Sequence, residues 1–495
     1  MEVGVTIRGV RRLEQEERES TMASNLKRRD FLKGAAAGCA LCIGLPRILT
    51  PAAYAGTTRL VSPGCRRSKV RVGKIYMGRP NAHWPTPKMD LNAEVRRYEA
   101  EFRRMSEDLA DVDFVVSQLV TSPEEVRALK GRLADVDGIL AIHLSMGIGD
   151  ALRELLAVAK PAMLFAAPYS GHEWTGFGSL RNQEAGALLD CMLTSDYDQL
   201  AVAIRPFRAI HHMREAKILN VTARQPRGSY EKAIREKFGT DIKTIDREQV
   251  LRAYNAVSDA DAEAEAGRWI DQAEKVVEPS KDEIVRSCKL ALAFENMLDE
   301  EDATVMTADC YGTMYHQLPA YPCIGFTRLN DMGLGGICES DLESAMTHIL
   351  FQGLTGRPGF ISDPTMDGDT VILAHCLGTT RMDGPEGERA PYRLRTIMER
   401  REGAVPQVRM RIGQKVTQAK LCGTNLLLCF TGDIVATPDV NRGCRTKITA
   451  SIDGDPEKLW HNWSHGLHRV TCYGDLTEDL ERFCRFKGIR MVNEA

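Results

Sequence analysis

The sequence predicts an α/β fold: two doubly wound parallel-sheet domains followed by a mixed, strand-rich C-terminal domain. At 495 residues the chain is too long for a single hydrophobic core. Between residues 69 and 305, apolar strand-like runs alternate with amphipathic helix-like runs, which is typical of parallel sheets. After residue 305, glycine, cysteine and polar aromatic loops multiply between closely spaced strand-like runs. The predicted domains are therefore residues 69–180, 181–305 and 306–495.

An export signal precedes these domains at residues 26–55. It consists of a twin-arginine pair, a short apolar region at 34–45 and a small-x-small cleavage site, at Arg28, Arg29 and Ala53-Tyr-Ala55. The apolar region is too short to span a bilayer. Residues 1–21 are polar, so Met22 is a candidate for the true start. We expect export by the twin-arginine route to the periplasm or beyond, a linker at 56–68, and no stable membrane insertion after processing.

The first domain has polar side chains at the ends of its predicted strands. Strands are predicted at 69–77, 113–119, 138–143 and 162–167, with helices at 91–109, 123–133 and 149–159. His83 and Trp84 follow the first strand, and such strand ends commonly line a ligand crevice. Both are candidate substrate-binding residues, and the alternative for each is a loop residue with no role.

The second domain contains no signature of a nucleotide cofactor. Strands are predicted at 199–204 and 217–221, and the acidic run at 259–265 is typical of a solvated helix face. No glycine fingerprint follows any predicted strand, so we expect neither a nicotinamide cofactor nor ATP. A net charge of −3 gives no reason to expect nucleic acid as a partner. The 14 cysteines are scattered in apolar contexts, which indicates buried free thiols more than a disulfide framework.

Residues 335–375 of the third domain contain two carboxylates and a histidine beside apolar segments. Glu339 precedes a helix-like run, Asp363 closes the strand-like run that begins at Gly359, and His375 ends another strand-like run. Two carboxylates with an imidazole suit a divalent cation such as Mn²⁺. The alternative is that Glu339 is a helix N-terminal carboxylate favoured by the dipole and that His375 is a satisfied core histidine.

The rest of this domain is predicted to be rich in strands. Strands are expected at 408–412, 414–419, 420–430 and 447–452, before a last helix at 476–487. Three histidines, His461, His465 and His468, lie within eight residues. Because Gly466 favours a loop here, we expect only one of them to bind a metal. Arg328, Asn330 and Arg445 are candidates for recognising substrate hydroxyl groups.

The segment from Cys338-Glu339-Ser-Asp341 to Ile361-Ser-Asp363 resembles the C-terminal region of L-fucose isomerase. That family has an A-T-E-N-D segment and an F-A-D segment whose metal-binding glutamate and aspartate are 24 positions apart, as Glu339 and Asp363 are here. The segment from His468 to Gly474, HRVTCYG, resembles the family's H-G-A-I-T-Y-G, whose histidine is a metal ligand. Residues 487–493 resemble its closing R-I-P-V-N-M-H-N. His375 is similar to the G-S-H ligand of the related L-arabinose isomerases.

The resemblance implies a three-domain α/β subunit with a divalent-metal site in its last domain. It also implies a trimer or hexamer in which the N-terminal domain of a neighbouring subunit covers that site. The expected metal ligands are Glu339, Asp363, His375 and His468, with Mn²⁺ as the expected cation. The expected substrate is a carbohydrate.

We expect metal-dependent aldose–ketose isomerisation through an enediol, with Glu339 and Asp363 as the proton-transferring pair. Export is unusual for an enzyme that feeds a sugar into cytosolic metabolism. The alternative is therefore a metal-dependent lyase, epimerase or hydrolase that acts on a glycoside or an oxidised sugar at the same site. A second alternative is a periplasmic sugar-binding protein, which has no need of these four side chains at metal-binding spacing.

Overall fold

The computed structural model describes residues 68–495. The predicted signal region at 26–55 and nearly all of the predicted linker lie outside the described residues. Within the described residues, no helix combines the length and the apolar character needed to cross a membrane.

The N-terminal sheet has five parallel strands in the order β2-β1-β3-β4-β5. Its strands are β1 (Val70–Met77), β2 (Val112–Val120), β3 (Gly138–His143), β4 (Ala162–Ala166) and β5 (Leu189–Leu193), and its helices are α1 (Leu91–Arg104), α2 (Pro123–Leu133), α3 (Gly149–Leu156) and α4 (Trp174–Arg181). Every residue of β3 and β4 is buried. Continuous apolar strands of this kind are expected where helices cover both faces of a parallel sheet.

A second parallel sheet has four strands in the order β10-β9-β6-β7. The next elements are α5 (Gln199–Val202), α6 (Arg205–Glu215), β6 (Lys217–Val221), α7 (Gly228–Phe238), β7 (Asp241–Ile245), α8 (Arg247–Ala256), α9 (Asp259–Gln272), β8 (Lys275–Val276), α10 (Lys281–Glu300), β9 (Val305–Ala308), α11 (Cys323–Asp331) and β10 (Gly335–Cys338). Two strands that lie beyond residue 304 thus complete a sheet begun by β6 and β7. The domain boundaries drawn from the sequence stay a prediction.

The predicted strand at 199–204 is wrong. Residues 199–202 form the short helix α5, and α6 begins three residues later. A short apolar run has too few residues for its periodicity to distinguish a buried helix from a buried strand. Here the tertiary position, at the edge of the N-terminal core, decides in favour of the helix.

The C-terminal region contains a closed ring of six antiparallel strands. The last elements are α12 (Leu342–Thr355), β11 (Phe360–Asp367), β12 (Thr370–His375), β13 (Tyr392–Arg395), β14 (Val405–Val408), β15 (Lys415–Cys422), β16 (Leu426–Ala436), β17 (Thr446–Ser451), α13 (Pro456–Asn462), β18 (Arg469–Tyr473), α14 (Thr477–Lys487) and β19 (Arg490–Asn493). Pairing runs β15-β18-β11-β12-β17-β16 and closes between β16 and β15. Closure leaves β19 as an added parallel strand on β16.

Two strand predictions in this region need correction. The strand predicted at 408–412 lies earlier, at Val405–Val408. Asp363 does not close its strand, because β11 continues to Asp367 and forms a hairpin with β12. The residue after Asp363 is a proline, a residue typical of strand ends, yet in β11 it lies within the hairpin pairing. Gly368 adopts a left-handed φ of 63° in the hairpin turn.

The predicted fold class is confirmed: two parallel sheets precede a mixed, strand-rich C-terminal sheet. Helix α12 joins these parts, because twelve of its fourteen residues are buried. It packs against α6 so closely that a Cβ atom on Gly353 would lie 2.7 Å from the Cα atom of Ala209. The eleven cysteines among the described residues are all free, and nine of them are buried, as the sequence predicts.

Candidate active site

Strand register in the C-terminal barrel brings Asp363, His375 and His468 together. Ser362 of β11 pairs with Arg469 of β18, so Asp363 lies beside His468. Strand β12 pairs with the other edge of β11 and ends at His375. Three side chains that are distant in sequence therefore meet at neighbouring strand positions.

Glu339 reaches this group from the four-stranded parallel sheet. It directly follows β10, and it and Ser340 have left-handed φ values of 66° and 53°. Two consecutive non-glycine residues in this region cost free energy, on the order of 1–3 kcal/mol each. Such strain persists where the surrounding structure fixes it, and it is common at functional sites. The turn directs the Glu339 carboxylate to the barrel histidines.

The four side chains surround one small volume. Glu339 Oε1 lies 3.7 Å from His375 Nε2, and Glu339 Oε2 lies 3.6 Å from His468 Nε2. Asp363 Oδ1 lies 3.1 Å from His468 Nε2. Donor atoms bound to one ion at about 2.0–2.2 Å lie roughly 3 to 3.6 Å from one another. The observed separations are close to that range.

Several of these atoms are buried without an aligned hydrogen bond. They are both ring nitrogens of His375, Nε2 of His468 and Oδ1 of Asp363. A buried polar group without a partner costs about 1–3 kcal/mol, so native proteins rarely leave several together. An ion at the centre of the group would satisfy Nε2 of both histidines and the carboxylate oxygen. The donor set therefore fits a divalent cation, and His375 is not a satisfied core histidine.

Asp341 holds His468 from the other side of its ring. Its Oδ2 lies 2.9 Å from Nδ1 of His468, which leaves Nε2 directed to Glu339 and Asp363. The same carboxylate accepts hydrogen bonds from the backbone of Glu343 and Ser344, and so caps the N-terminus of α12. A carboxylate behind a metal-binding histidine fixes its orientation and raises its basicity. The helix-capping role considered for Glu339 thus belongs to Asp341.

Burial and charge shift the pKa values of the group in opposite directions. Burial, with the negative charges of Asp363 and Asp341, raises the pKa of Glu339 above its usual value. Burial alone would also raise that of Asp363, but the neighbouring His468 and His375 lower it. Although burial opposes it, the carboxylates of Asp341 and Asp363 raise the pKa of His468 to about 10. Burial, with His468 nearby, lowers the pKa of His375 to about 4.

The three candidates for hydroxyl recognition bind protein atoms. Arg328 is buried and donates to Glu265 and Glu295. Asn330 bonds the backbone of Gly336. Arg445 donates to the carbonyl of Thr396, and its guanidinium lies 3.2 Å from Glu278. Within the described part of the chain, none of these contacts includes the four clustered side chains.

The remaining candidates lie in two other places. Trp84 contacts His172 in the loops after the strands of the N-terminal sheet, with the two rings tilted by 38° and their centroids 4.4 Å apart. His83 precedes Trp84 and has a φ of 62°. Of the three C-terminal histidines, His461 and His465 are exposed, and only His468 is buried in the cluster.

Sequence reasoning missed Asp341 and Lys420 as parts of this site. The amino group of Lys420 is buried and lies 3.5 Å from both Asp341 and Glu343. Asp341 had one visible signal, since an aspartate just before an apolar helical run is a common N-cap. Its second contact, with His468, depends on a separation of 127 residues that no local pattern records.

Comparison with known proteins finds two relatives, and no family model matches the chain. The chain is similar to a sulfoquinovose isomerase of Alkalicoccus urumqiensis, at 22% identity over 187 residues, 34% of this chain and 41% of that protein. It is also similar to a sulfoquinovose isomerase of Clostridium sp. (strain MSTE9), at 22% identity over 261 residues, 49% of this chain and 56% of that protein. The chain thus spans about half the length of the curated relatives it matches.

Proposed function

We propose that this protein is an exported, metal-dependent sugar isomerase that interconverts an aldose and a ketose through an enediol. The observation that carries the proposal is the convergence of Glu339, His375 and His468, whose ligand atoms lie within 4.8 Å of one another, with Asp363 3.1 Å from His468. Both ring nitrogens of His375, Nε2 of His468 and Oδ1 of Asp363 are buried without an aligned hydrogen bond. The likeness to two proteins named sulfoquinovose isomerase favours the same reaction class. The sequence resemblance to L-fucose isomerase points to Glu339, Asp363 and His468, and the resemblance to the L-arabinose isomerases points to His375.

A divalent cation, most suitably Mn²⁺, would be held by these four side chains. When bound, it would supply Lewis-acid polarisation of the sugar carbonyl and of the adjacent hydroxyl. Imidazole and carboxylate ligands suit manganese. Asp341 would keep the Nε2 atom of His468 directed to the ion, through its contact with Nδ1.

Glu339 is the better placed of the two carboxylates to remove a proton. A general base works best when its pKa lies near the working pH, and burial raises the pKa of Glu339 in that direction. Asp363 stays ionised, because the two histidines lower its pKa. We assign to Glu339 the removal of the proton from the carbon next to the carbonyl.

The return of the proton completes a reaction without net loss or gain of atoms. A carboxylic acid delivers the proton to the former carbonyl carbon, while a hydroxyl proton moves between the two neighbouring oxygens. Glu339, protonated by the first step, can deliver it alone, or Asp363 can serve the opposite side of the carbon pair. Both carboxylates lie within 4 Å of the same atom, Nε2 of His468, so both would lie close to a sugar bound at this group.

The relatives and the sequence resemblance support a proposal for the substrate and for the assembly. Sulfoquinovose is the first sugar to test, followed by unmodified hexoses and pentoses. We propose a homo-oligomer, a trimer or a hexamer, in which the loops containing His83 and Trp84 cover the site of a neighbouring subunit. The exposed aromatic residues Tyr169 and Trp174 of the same loop region are compatible with that use.

The test is solvent exchange measured by NMR. Purified protein with Mn²⁺ and sulfoquinovose in D₂O should form the ketose and incorporate deuterium at the carbon next to the carbonyl. Glu339→Gln should abolish both signals while its Mn²⁺ content stays near that of the wild type. Glu402→Gln is the matched control, because Glu402 lies elsewhere, bonded to Tyr321 and His316.

Two results would overturn the assignment. Exchange that persists in Glu339→Gln would remove this residue as the base. Exchange without ketose formation, across the panel of sugars, would favour an epimerase or lyase over an isomerase.

A further inference from the structure

A second group of potential metal ligands lies next to the candidate active site. Cys376, Cys444 and Glu399 each offer one ligand atom, and these atoms all lie within 4.8 Å of one another. The three residues are separate from Glu339, Asp363, His375 and His468, and the proposed isomerisation does not use them.

Strand pairing places the two cysteines. Cys376 directly follows His375, the last residue of β12, and Cys444 lies two positions before Thr446, the first residue of β17. His375 and Thr446 are partners in the antiparallel pairing, so both cysteines leave the sheet at the same end. Successive side chains along an extended chain point to opposite sides, which separates the Cys376 sulfur from the His375 ring.

The distances fit a tetrahedral thiolate site. The two Sγ atoms are 3.8 Å apart, and Sγ of Cys444 lies 3.8 Å from Oε1 of Glu399. Two thiolates bound to one Zn²⁺ at about 2.3 Å with tetrahedral angles have sulfur atoms about 3.8 Å apart. Cys376 is buried, Cys444 is half-buried and Glu399 is exposed, so the group opens to solvent on the Glu399 side.

We propose that Cys376, Cys444 and Glu399 form a second cation site, for Zn²⁺ or a similar thiolate-binding ion. Two thiolates select a softer cation than the carboxylate–imidazole group does. The fourth position is left for water, next to the Tyr311 hydroxyl, which lies 3.8 Å from Sγ of Cys376. An ion here would tie the ends of β12 and β17 to the turn that contains Glu399. It would thereby fix the strand that presents His375, and so act as a structural support for the candidate active site.

Cobalt spectroscopy on the reduced, metal-free full-length protein tests this proposal. Cobalt bound to thiolate gives an intense charge-transfer absorption in the near ultraviolet, which carboxylate and imidazole ligands do not give. The wild type should develop this band to saturation with one equivalent of thiolate-bound Co²⁺. Cys444→Ser should lose it. Cys472→Ser, which alters a buried cysteine of β18, and Glu339→Gln, which alters the other site, should both keep it.

Thiol labelling is done on the wild-type protein, so its result does not depend on whether a variant folds correctly. Zn²⁺ should protect Cys376 and Cys444 from alkylation, as mapped by peptide mass spectrometry, and should leave the labelling of Cys191 unchanged. Absence of the band in the wild type, a band kept in Cys444→Ser, or labelling insensitive to Zn²⁺ would overturn the proposal. Recovery of the protein with a disulfide between Cys376 and Cys444 that forms in preference to Zn²⁺ binding would also overturn it. Because Glu339→Gln keeps the band, this outcome is independent of the isomerase assignment.

Discussion

Two buried polar clusters in this protein differ in how many of their side-chain atoms lack an aligned hydrogen bond: one atom, Oε1 of Glu295, in the first and four in the second. In one, the guanidinium of Arg328 binds Glu265 and Glu295, and Glu265 also accepts from Trp269. In the other, both ring nitrogens of His375, one of His468 and one oxygen of Asp363 have no aligned partner. Paired charges of the first kind support the fold. Unpaired atoms that face one small volume are suited to bind something the chain itself does not supply.

This difference separates stability from function at the level of single residues. The charge and the polar surroundings of Arg328 in the sequence suggest that it binds substrate hydroxyl groups. In the structure it instead forms ion pairs that connect α9, α10 and α11. His375 is equally compatible in sequence with a core histidine, and in the structure neither of its ring nitrogens has an aligned hydrogen bond. Substitutions in the two clusters should therefore have separable effects.

The largest effect is expected for His375→Leu. Loss of a metal ligand should remove Lewis-acid stabilisation worth several kcal/mol, so turnover should fall by roughly a thousandfold or more. The free energy of unfolding should stay within about 1 kcal/mol of the wild type, because an unpartnered buried imidazole is replaced by an apolar group. Turnover with Mn²⁺ and urea unfolding measure the two quantities. A variant that unfolds at a much lower urea concentration would show that His375 stabilises the fold, as Arg328 does.

The opposite pattern is expected for Arg328→Met. Glu295 would be left buried without a counter-charge and Glu265 would keep only Arg268, which costs about 3–5 kcal/mol of unfolding free energy. Turnover per folded molecule should be unchanged. Urea unfolding measures the loss, with Arg96→Met as the control, since the Arg96 side chain is 69% exposed. A variant with wild-type stability and a raised KM would show that Arg328 binds the substrate.

A smaller effect is expected for a substitution of Asp341, which contacts His468 and also caps helix α12. Asp341→Asn keeps an oxygen to cap α12 but weakens the charge behind His468, so Mn²⁺ affinity should fall by about 10–100-fold. Turnover at saturating Mn²⁺ should recover in large part. Asp455→Asn is the matched control, because Asp455 caps α13 by the same geometry. Equal Mn²⁺ affinities in the two variants would limit Asp341 to helix capping.

The smallest effect is expected for a change of one pH unit, which should alter the Mn²⁺ affinity. In the metal-free protein the pKa of His468 is raised to about 10, so the protonated imidazole stabilises the fold below its ordinary pKa, and this contribution is lost as pH rises through 10. Mn²⁺ must displace that proton. Its affinity should therefore increase between pH 6 and 9, by up to roughly tenfold per pH unit. Calorimetric titrations at several pH values measure this, and a flat profile would show that His468 is not a ligand.

The sequence predicts those features of the fold and of the site that depend on local patterns of residues. Alternating strand and helix periodicity is enough for two parallel sheets, since their strands and helices span only 4 to 20 residues. Glu339, Asp363 and His375 are recognisable as candidate ligands because each lies beside an apolar segment, whereas His468 is indicated by the resemblance to L-fucose isomerase. The helix at 199–202 was missed for the same reason in reverse, because its apolar run is too short to show a period.

The features that the sequence does not predict depend on contacts between residues far apart in the chain. Closure of the barrel between β15 and β16, and the contact of Asp341 with His468, depend on residues far apart in the chain. Arg328 is a further example, because its partner Glu265 belongs to the acidic run 259–265, which the sequence indicates to be a solvated helix face, and its other partner, Glu295, lies on α10. A charged residue beside an apolar run has a function or a structural partner, and only the fold decides between them.

The most direct test of the four-residue cation site is electron paramagnetic resonance of Mn²⁺, because it counts the manganese bound per chain. The wild type should bind one Mn²⁺ per chain, Cys444→Ser should bind the same amount, and the double variant His375→Leu, His468→Leu should bind none while it unfolds at a similar urea concentration. A wild type that binds no Mn²⁺, or a folded double variant that still binds one, would contradict the claim that these side chains converge on a cation.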